Sequence, residues 1–148
     1  DIYDAPKQAL EKLRGYNKII LIYPKKSAHP YPRRILDGFL QFCREYDLDY
    51  EVLDEIYQDM ELASRDVYIT VQERDLVNLL RQVRAGGLAL GKDMGIISYN
   101  DTPLKELLDI TVISTDFRAM GASAACMLLS GKKENVKNAF NYIERSSL

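Results

Sequence analysis

Apolar positions along the chain alternate between two periods, one strand-like and one helix-like. Asp4-Ala5-Pro6 has the form of a helix start, with Pro in the first turn, where its missing N–H costs nothing. Ala9, Leu10 and Leu13 continue it as a stripe and Gly15 ends it. Lys18 to Tyr23 (KIILIY) is a continuous apolar run, as in a strand buried on both faces, and Pro24 stops it. Ile35, Leu36, Phe39, Leu40, Cys43 and Tyr46 then recur at helical spacing, with Gly38 leaving room for a close neighbour. Tyr50 to Leu53 reads as a weaker second strand and Val67 to Val71 as a third. Leu76, Val77, Leu79, Leu80 and Val83 form the apolar face of a helix ending at Gly86-Gly87. A fourth strand spans Met94 to Ser98, a short helix Pro103 to Leu108, and a fifth strand Thr111 to Ser114. Phe117 to Ser130 reads as a helix whose Gly121, Ala122, Ala124 and Ala125 would let it approach a neighbour closely. Phe140 to Ile143 is a candidate last strand. This alternation predicts an α/β fold: a doubly wound parallel sheet of about five strands with helices on both faces.

Composition narrows the function. The 148 residues suit one domain, or one lobe of a larger one, and 47% hydrophobic with 28% charged residues is globular rather than disordered. No apolar run is long enough to span a bilayer. The chain opens with Asp1-Ile2-Tyr3-Asp4 and not Met, the expectation for a piece excised from a longer protein, without a signal peptide. A net charge of −2 gives no basic footprint for nucleic acid. Cys43 and Cys126 are far apart and each sits in an apolar helical pattern, so both read as small buried hydrophobes of a reducing compartment. With His29 as the only histidine and no CxxC, the usual zinc spacings cannot be built, and no GxSxG elbow accompanies His29. Residues 45–66 carry nine acids against the single base Arg65, which reads as a solvated edge and matches no calcium loop.

In a sheet of this kind ligands bind beyond the carboxyl ends of the strands. Lys25, Lys26, Ser27, His29, Arg33 and Arg34 follow the first strand; Glu55, Tyr57 and Gln58 the second; Gln72 and Glu73 the third; Tyr99 to Thr102 the fourth; Thr115 and Asp116 the fifth. Guanidinium forks, amides, carboxylates and tyrosines suit a polyhydroxylated ligand such as a sugar. Phosphate cofactors are disfavoured, since neither GxGxxG nor GxxxxGK[ST] occurs and the glycines of 86–91 follow a helix. Plain structural roles compete at several positions. Asp101 or Thr102 can cap the helix at Pro103, Asn100 can serve as a turn residue, and Asp116 can cap the helix at Phe117. His29, Lys25 and Lys26 fit a solvated loop, whereas paired arginines opening a helix run against its dipole and point to a polar or anionic partner.

Four segments, in order, resemble the sensor region of bacterial regulators of the lactose-repressor/galactose-repressor type. They are Gly91 to Thr102 (GKDMGIISYNDT), Ile113 to Phe117 with Met120, Gly121 and Ala125, Arg33-Arg34 with Gly38-Phe39, and the closing Ile143 to Ser147 (IERSS). The resemblance covers nearly the whole chain. It implies two periplasmic-binding-protein-like lobes clasping a small effector, with operator DNA bound by a headpiece outside this chain. Residues 1–113 would be the C-terminal lobe. Residues 114–148 would be a crossing helix and terminal strand that return toward the N-terminal lobe. Regulators with a gluconate-repressor (GntR) type of headpiece carry the same sensor.

Carried over by position, Arg33 or Arg34 matches the effector-contacting arginine, Asn100 the sugar-binding acid after the aromatic, and Gln72 an asparagine at the third strand's end. Tyr57 falls near an aromatic that packs on the sugar, and Asp101 and Thr115 join as polar contacts. Departures from the family pattern are the longer spacing from the arginines to Gly38, Asn100 in place of an acid, and Gln72-Glu73 in place of Asn-Asp. The expected protein is a cytoplasmic, homodimeric sugar sensor with no cofactor, metal, membrane segment or catalysis. Its rivals are a transport-type sugar-binding protein and a flavodoxin-like sugar enzyme using Asp101 with Glu73.

Overall fold

A computed structural model of the chain describes residues 2–25, 30–131 and 135–148. Lys26, Ser27 and His29 lie outside the described residues. A 3-10 turn (Ala5–Ala9) runs into α1 (Leu10–Leu13). There follow β1 (Lys18–Ile22), α2 (Arg33–Glu45), β2 (Tyr50–Leu53), β3 (Asp66–Thr70), α3 (Glu73–Ala85), β4 (Gly95–Tyr99), α4 (Pro103–Leu107), β5 (Thr111–Thr115), α5 (Phe117–Ser130) and β6 (Phe140–Ile143).

The six strands form one sheet in the order β2-β1-β3-β4-β5-β6. β1 to β5 are parallel, while β6 runs antiparallel beside β5, with Thr115 opposite Phe140 and Val112 opposite Ile143. The expected parallel five-strand sheet is therefore present and carries a sixth, reversed edge strand. The order reverses between β1 and β3, which places the crevice of a doubly wound sheet there.

Two cores cover the two faces. On one, α1 and α2 contribute Leu13, Ile35, Phe39, Phe42 and Cys43 against Ile19, Leu21, Val67, Ile69, Ile97 and Ile113. Burying each of Ile35, Phe39 and Phe42 contributes about 1.5–3 kcal/mol. Burial also pushes the Cys43 thiol up to about 12, which keeps it protonated and inert. Gly38 is where Ile2 crosses α2, since a Cβ there would lie 2.9 Å from the Ile2 Cγ2. On the other face, Leu76, Leu79 and Val83 of α3 pack on Ile20, Ile22, Tyr68, Ile96 and Val112. The acidic stretch is mostly exposed, and two of its acids are paired, Glu51 with Lys18 at 3.2 Å and Asp54 with Lys25 at 3.1 Å. Asp66 is its buried exception.

Two expectations are corrected. α5 does not pack by its small-residue face: none of its residues is buried, and a Cβ on Gly121 would meet nothing within 4 Å. Cys126, on that helix, is exposed, whereas Cys43 is buried as expected. The tail behaves differently from the helix before it. β6 lies in the sheet, and Ser147 and Leu148 are buried. Ser147 Oγ donates to the Ile96 carbonyl at 2.7 Å and accepts from the Thr111 amide at 2.8 Å. Gly91 makes room for this tail, because any Cβ there would run into the Ser146 carbonyl. Among the described residues, no helix is long and apolar enough to cross a membrane.

Candidate functional site

The parallel register aligns the carboxyl ends of β1, β3, β4 and β5 along one edge, with Ile22 beside Thr70, Thr70 beside Ser98, and Tyr99 beside Ile113. Gln72, Asn100 and Thr115 leave the sheet at this edge, and Arg33 and Arg34 open the helix after β1. Hydroxyls line the last turns of the central strands. Thr70 Oγ1 donates to Ser98 Oγ at 3.0 Å, and Ser114 Oγ accepts from the Asp101 amide at 3.0 Å.

The corner after β4 is the most constrained part of the edge. Asn100 has φ of 61°, the left-handed region that Asn tolerates better than most residues. Its amide donates to the Ile113 carbonyl at 2.7 Å. Thr102 caps α4, its Oγ1 accepting from the Lys105 amide at 3.3 Å, with Pro103 in the first turn. Asp116 likewise caps α5 through the Ala119 amide at 2.8 Å. Asp101 is not the cap. Arg145 grips its carboxylate with both prongs at 2.9 Å, and the Thr102 amide adds a third bond at 3.0 Å. The Arg145 guanidinium therefore holds the Asp101 carboxyl below the usual carboxylate range. So held, Asp101 is a poor proton acceptor at neutral pH, which weakens the acid/base pairing with Glu73 that an enzyme would need.

Arg33 and Arg34 are both exposed, and Arg33 sits 3.7 Å from Asp37 on its own helix, a solvated pair worth little. Gln72 is half-buried at the start of α3 and makes no capping bond. Thr115 is half-buried at the end of β5. Tyr57 stands apart from these. It is 59% exposed, and with Glu55, Arg74, Asn78 and Arg81 it lines a groove of about 630 Å³ along α3. None of Arg33, Arg34, Gln72, Asn100 or Thr115 lines that groove. Gln72, Asn100 and Thr115 thus follow or end adjacent parallel strands at the same edge, Arg33 and Arg34 open the helix after β1, and Tyr57 lines a separate groove. Among the described residues no cluster of His, Cys, Asp and Glu is disposed to hold a metal ion.

A family model described as a periplasmic binding protein-like domain matches residues 12–147. The chain belongs to this family. Solved structures of the same fold include LacI-type regulators. A LacI family transcriptional regulator from Bifidobacterium animalis superposes with a TM-score of 0.75 at 22% identity, over 99% of this chain and 61% of that one. The lactose repressor, bound to an anti-inducer, gives 0.70 at 16% identity over 99% and 62%. A periplasmic binding protein/LacI regulator from Alkaliphilus metalliredigens, complexed with D-xylulofuranose, gives 0.68 at 19% over 99% and 63%. This chain spans about three fifths of the length of each. No curated protein sequence matches it.

Within this periplasmic-binding-protein-like lobe, sequence reasoning missed two residues. Lys105 is only 3% exposed, and its Nζ donates to the carbonyls of Tyr99 at 2.7 Å and Asn100 at 2.8 Å. In the sequence Arg145 shows only as part of the closing Ile143 to Ser147 segment. It also donates to the Ile110 carbonyl at 2.8 Å, so one side chain ties the segment after β6 to the loops before and after α4. Arg145 follows β6 by two residues, and its partners Asp101 and Ile110 are 44 and 35 residues away, so no local pattern signals its role. Lys105 leaves no signal in the chain either.

Proposed function

We propose that this chain is the effector-sensing region of a bacterial transcription regulator and binds a sugar or similar small polar molecule at the strand-end edge. The observation that supports the reading is the parallel edge itself: Gln72, Asn100 and Thr115 follow or end β3, β4 and β5, and Arg33 and Arg34 open the helix after β1, on a fold found in LacI-type regulators. Gln72, Asn100 and Thr115 would bond the ligand hydroxyls, with Arg33 or Arg34 closing over it. Asp101 would contribute by holding the corner. No reaction is assigned to the site. In the cell the protein would be cytoplasmic and dimeric, and operator DNA would be bound by a headpiece, of LacI or GntR type, outside these residues.

In this reading the sheet is one wall of a two-lobed clamp. Residues 1–113 belong to that wall. The stretch from 114 to 148 would include the passage toward a second lobe, with α5 as the part that leaves and β6 as the part that comes back. A ligand on one wall keeps its other face in water, where hydrogen bonds gain little net energy. Losing three or four such bonds, at ~1 kcal/mol each, weakens binding by roughly 150- to 1,000-fold.

Calorimetry of the chain against a panel of pentoses and hexoses, D-xylulose included, tests this reading. Weak binding of one sugar, lost in Asn100→Ala and in Gln72→Ala, supports it. Micromolar binding by a monomer would show a complete module and contradict the single-wall picture. Turnover of any sugar would move the chain to the enzymes. A parallel titration with duplex DNA at fixed salt is expected to show no binding, given the net charge of −2.

A further inference from the structure

The β4–α4 corner holds a buried cation that, among the described residues, no carboxylate contacts by hydrogen bond. Lys105 is 3% exposed, and both of its described side-chain bonds go to successive main-chain carbonyls, those of Tyr99 and Asn100. Two consecutive carbonyls can point at one ammonium only where the chain turns sharply between them. Asn100 is that turn, at φ of 61°. The main-chain N–H groups of the corner are already committed: Asn100 to Ile113, Asp101 to Ser114 and Thr102 to Asp101. Asp101 is committed to Arg145. One polar atom is left over. Asn100 Oδ1 is buried and has no hydrogen-bond partner among the described residues.

We propose that Lys105 is a positioning residue, whose ammonium fixes the left-handed corner at Asn100 and so sets how the half-buried Asn100 side chain meets the ligand. The proposal rests on the reading above that Asn100 faces the effector, and names what sets its geometry. An ammonium suits the task because it offers three donors from one point, matching two carbonyls that converge. Arg would not substitute, since its planar fork is larger and spreads its donors. Burial lowers the tendency of Lys105 to hold its proton. The clamp tolerates that, because a neutral amine still has two N–H groups for two carbonyls.

The test uses Lys105→Met, which keeps length and removes the donors, followed by heteronuclear NMR of the backbone at 99–101. The expected result is a folded protein whose signals move at 99–101 and whose residue 100 loses its left-handed coupling signature. Where D-xylulose or another sugar of the panel binds, its affinity falls roughly ten-fold or more, the loss expected when one ligand hydrogen bond is misaligned. Ile20→Val, a mild core change, serves as control and is expected to lower stability without touching affinity. If Lys105→Met does not fold, Lys105→Gln, which retains an amide donor, is read the same way, with a partial displacement at 99–101. Unmoved 99–101 signals in the Met variant, or in the Gln variant if it stands in, would overturn the proposal whatever the sugars do. A displaced corner with an unchanged affinity for a sugar that binds would overturn it as well. A silent sugar panel with a displaced corner would instead count against the functional reading and leave the clamp standing.

Discussion

α3 and α5 are nearly equal in length and opposite in what they bury. α3 is the more polar, with Glu73, Arg74, Asp75, Arg81 and Arg84 in 13 residues, yet Leu76, Leu79 and Val83 fall on one side and are buried. α5 carries a single charge, Arg118, in 14 residues and buries nothing. Leu128 and Leu129 are 84% and 90% exposed, and Phe117 and Met120 are exposed as well. Sidedness, and not apolar content, decides which helix the sheet holds. An apolar helix without sidedness needs cover from several directions, and the described residues supply none.

The sharpest way to break this contrast is to truncate one leucine on each helix. Leu79→Ala is expected to cost about 2–5 kcal/mol, as for a fully buried leucine. Leu129→Ala is expected to stay within ~0.5 kcal/mol. Urea titrations of the two variants read both values, and equal costs would mean that α5 is packed after all.

Next in size is the Asp101–Arg145 pair, whose side chains are 28% and 12% exposed. Arg145→Met is expected to lose about 1–3 kcal/mol, the range for hydrogen bonds to a charged group. The folded carboxyl is held below its unfolded value. Its stabilisation is thus present above the unfolded pKa near ~3.9 and is lost as pH falls through the lower folded value. Acid unfolding of Arg145→Met should accordingly be flatter below about pH 4 than that of the parent. An unchanged acid limb would mean that the pair does not hold the tail.

Thr102→Ala, which removes the α4 cap, is expected to cost about 1 kcal/mol in the same urea assay. A null result there would show that Lys105 and Asp101 hold the corner without the cap. The smallest stability effect is expected from Leu128→Lys, within ~0.5 kcal/mol. That variant should nevertheless reduce self-association in sedimentation runs, because it breaks an exposed apolar strip. Unchanged sedimentation would mean that the strip drives no association.

The elements that were legible in the sequence are those whose burial is set by local period. β1 showed as an unbroken apolar run because both its faces are covered, and α2 and α3 showed by their stripes. The caps at Thr102 and Asp116 showed because a capping side chain acts within three residues. What was not legible depends on partners distant in sequence. The burial expected for Cys126 rests on apolar neighbours along α5, but none of that helix's residues is buried and Cys126 is exposed. Lys105 looks like surface charge until the left-handed turn at Asn100 aims two carbonyls at it. Asp101 could be narrowed only to cap or contact, since its true partner, Arg145, is 44 residues away. Tyr57 follows a strand, as the edge residues do, but the loop after β2 carries it along α3 instead.

The site reading is tested most directly by mapping where a sugar touches the chain. Amide and side-chain NMR signals, followed through a titration with the pentose and hexose panel, report even millimolar binding residue by residue. The account predicts that one sugar shifts Gln72, Asn100 and Thr115 together with the start of α2 at Arg33 and Arg34, while Tyr57 and Arg81 stay still. Shifts confined to the groove of Tyr57, Arg74 and Arg81, with the strand-end residues unmoved, would contradict it.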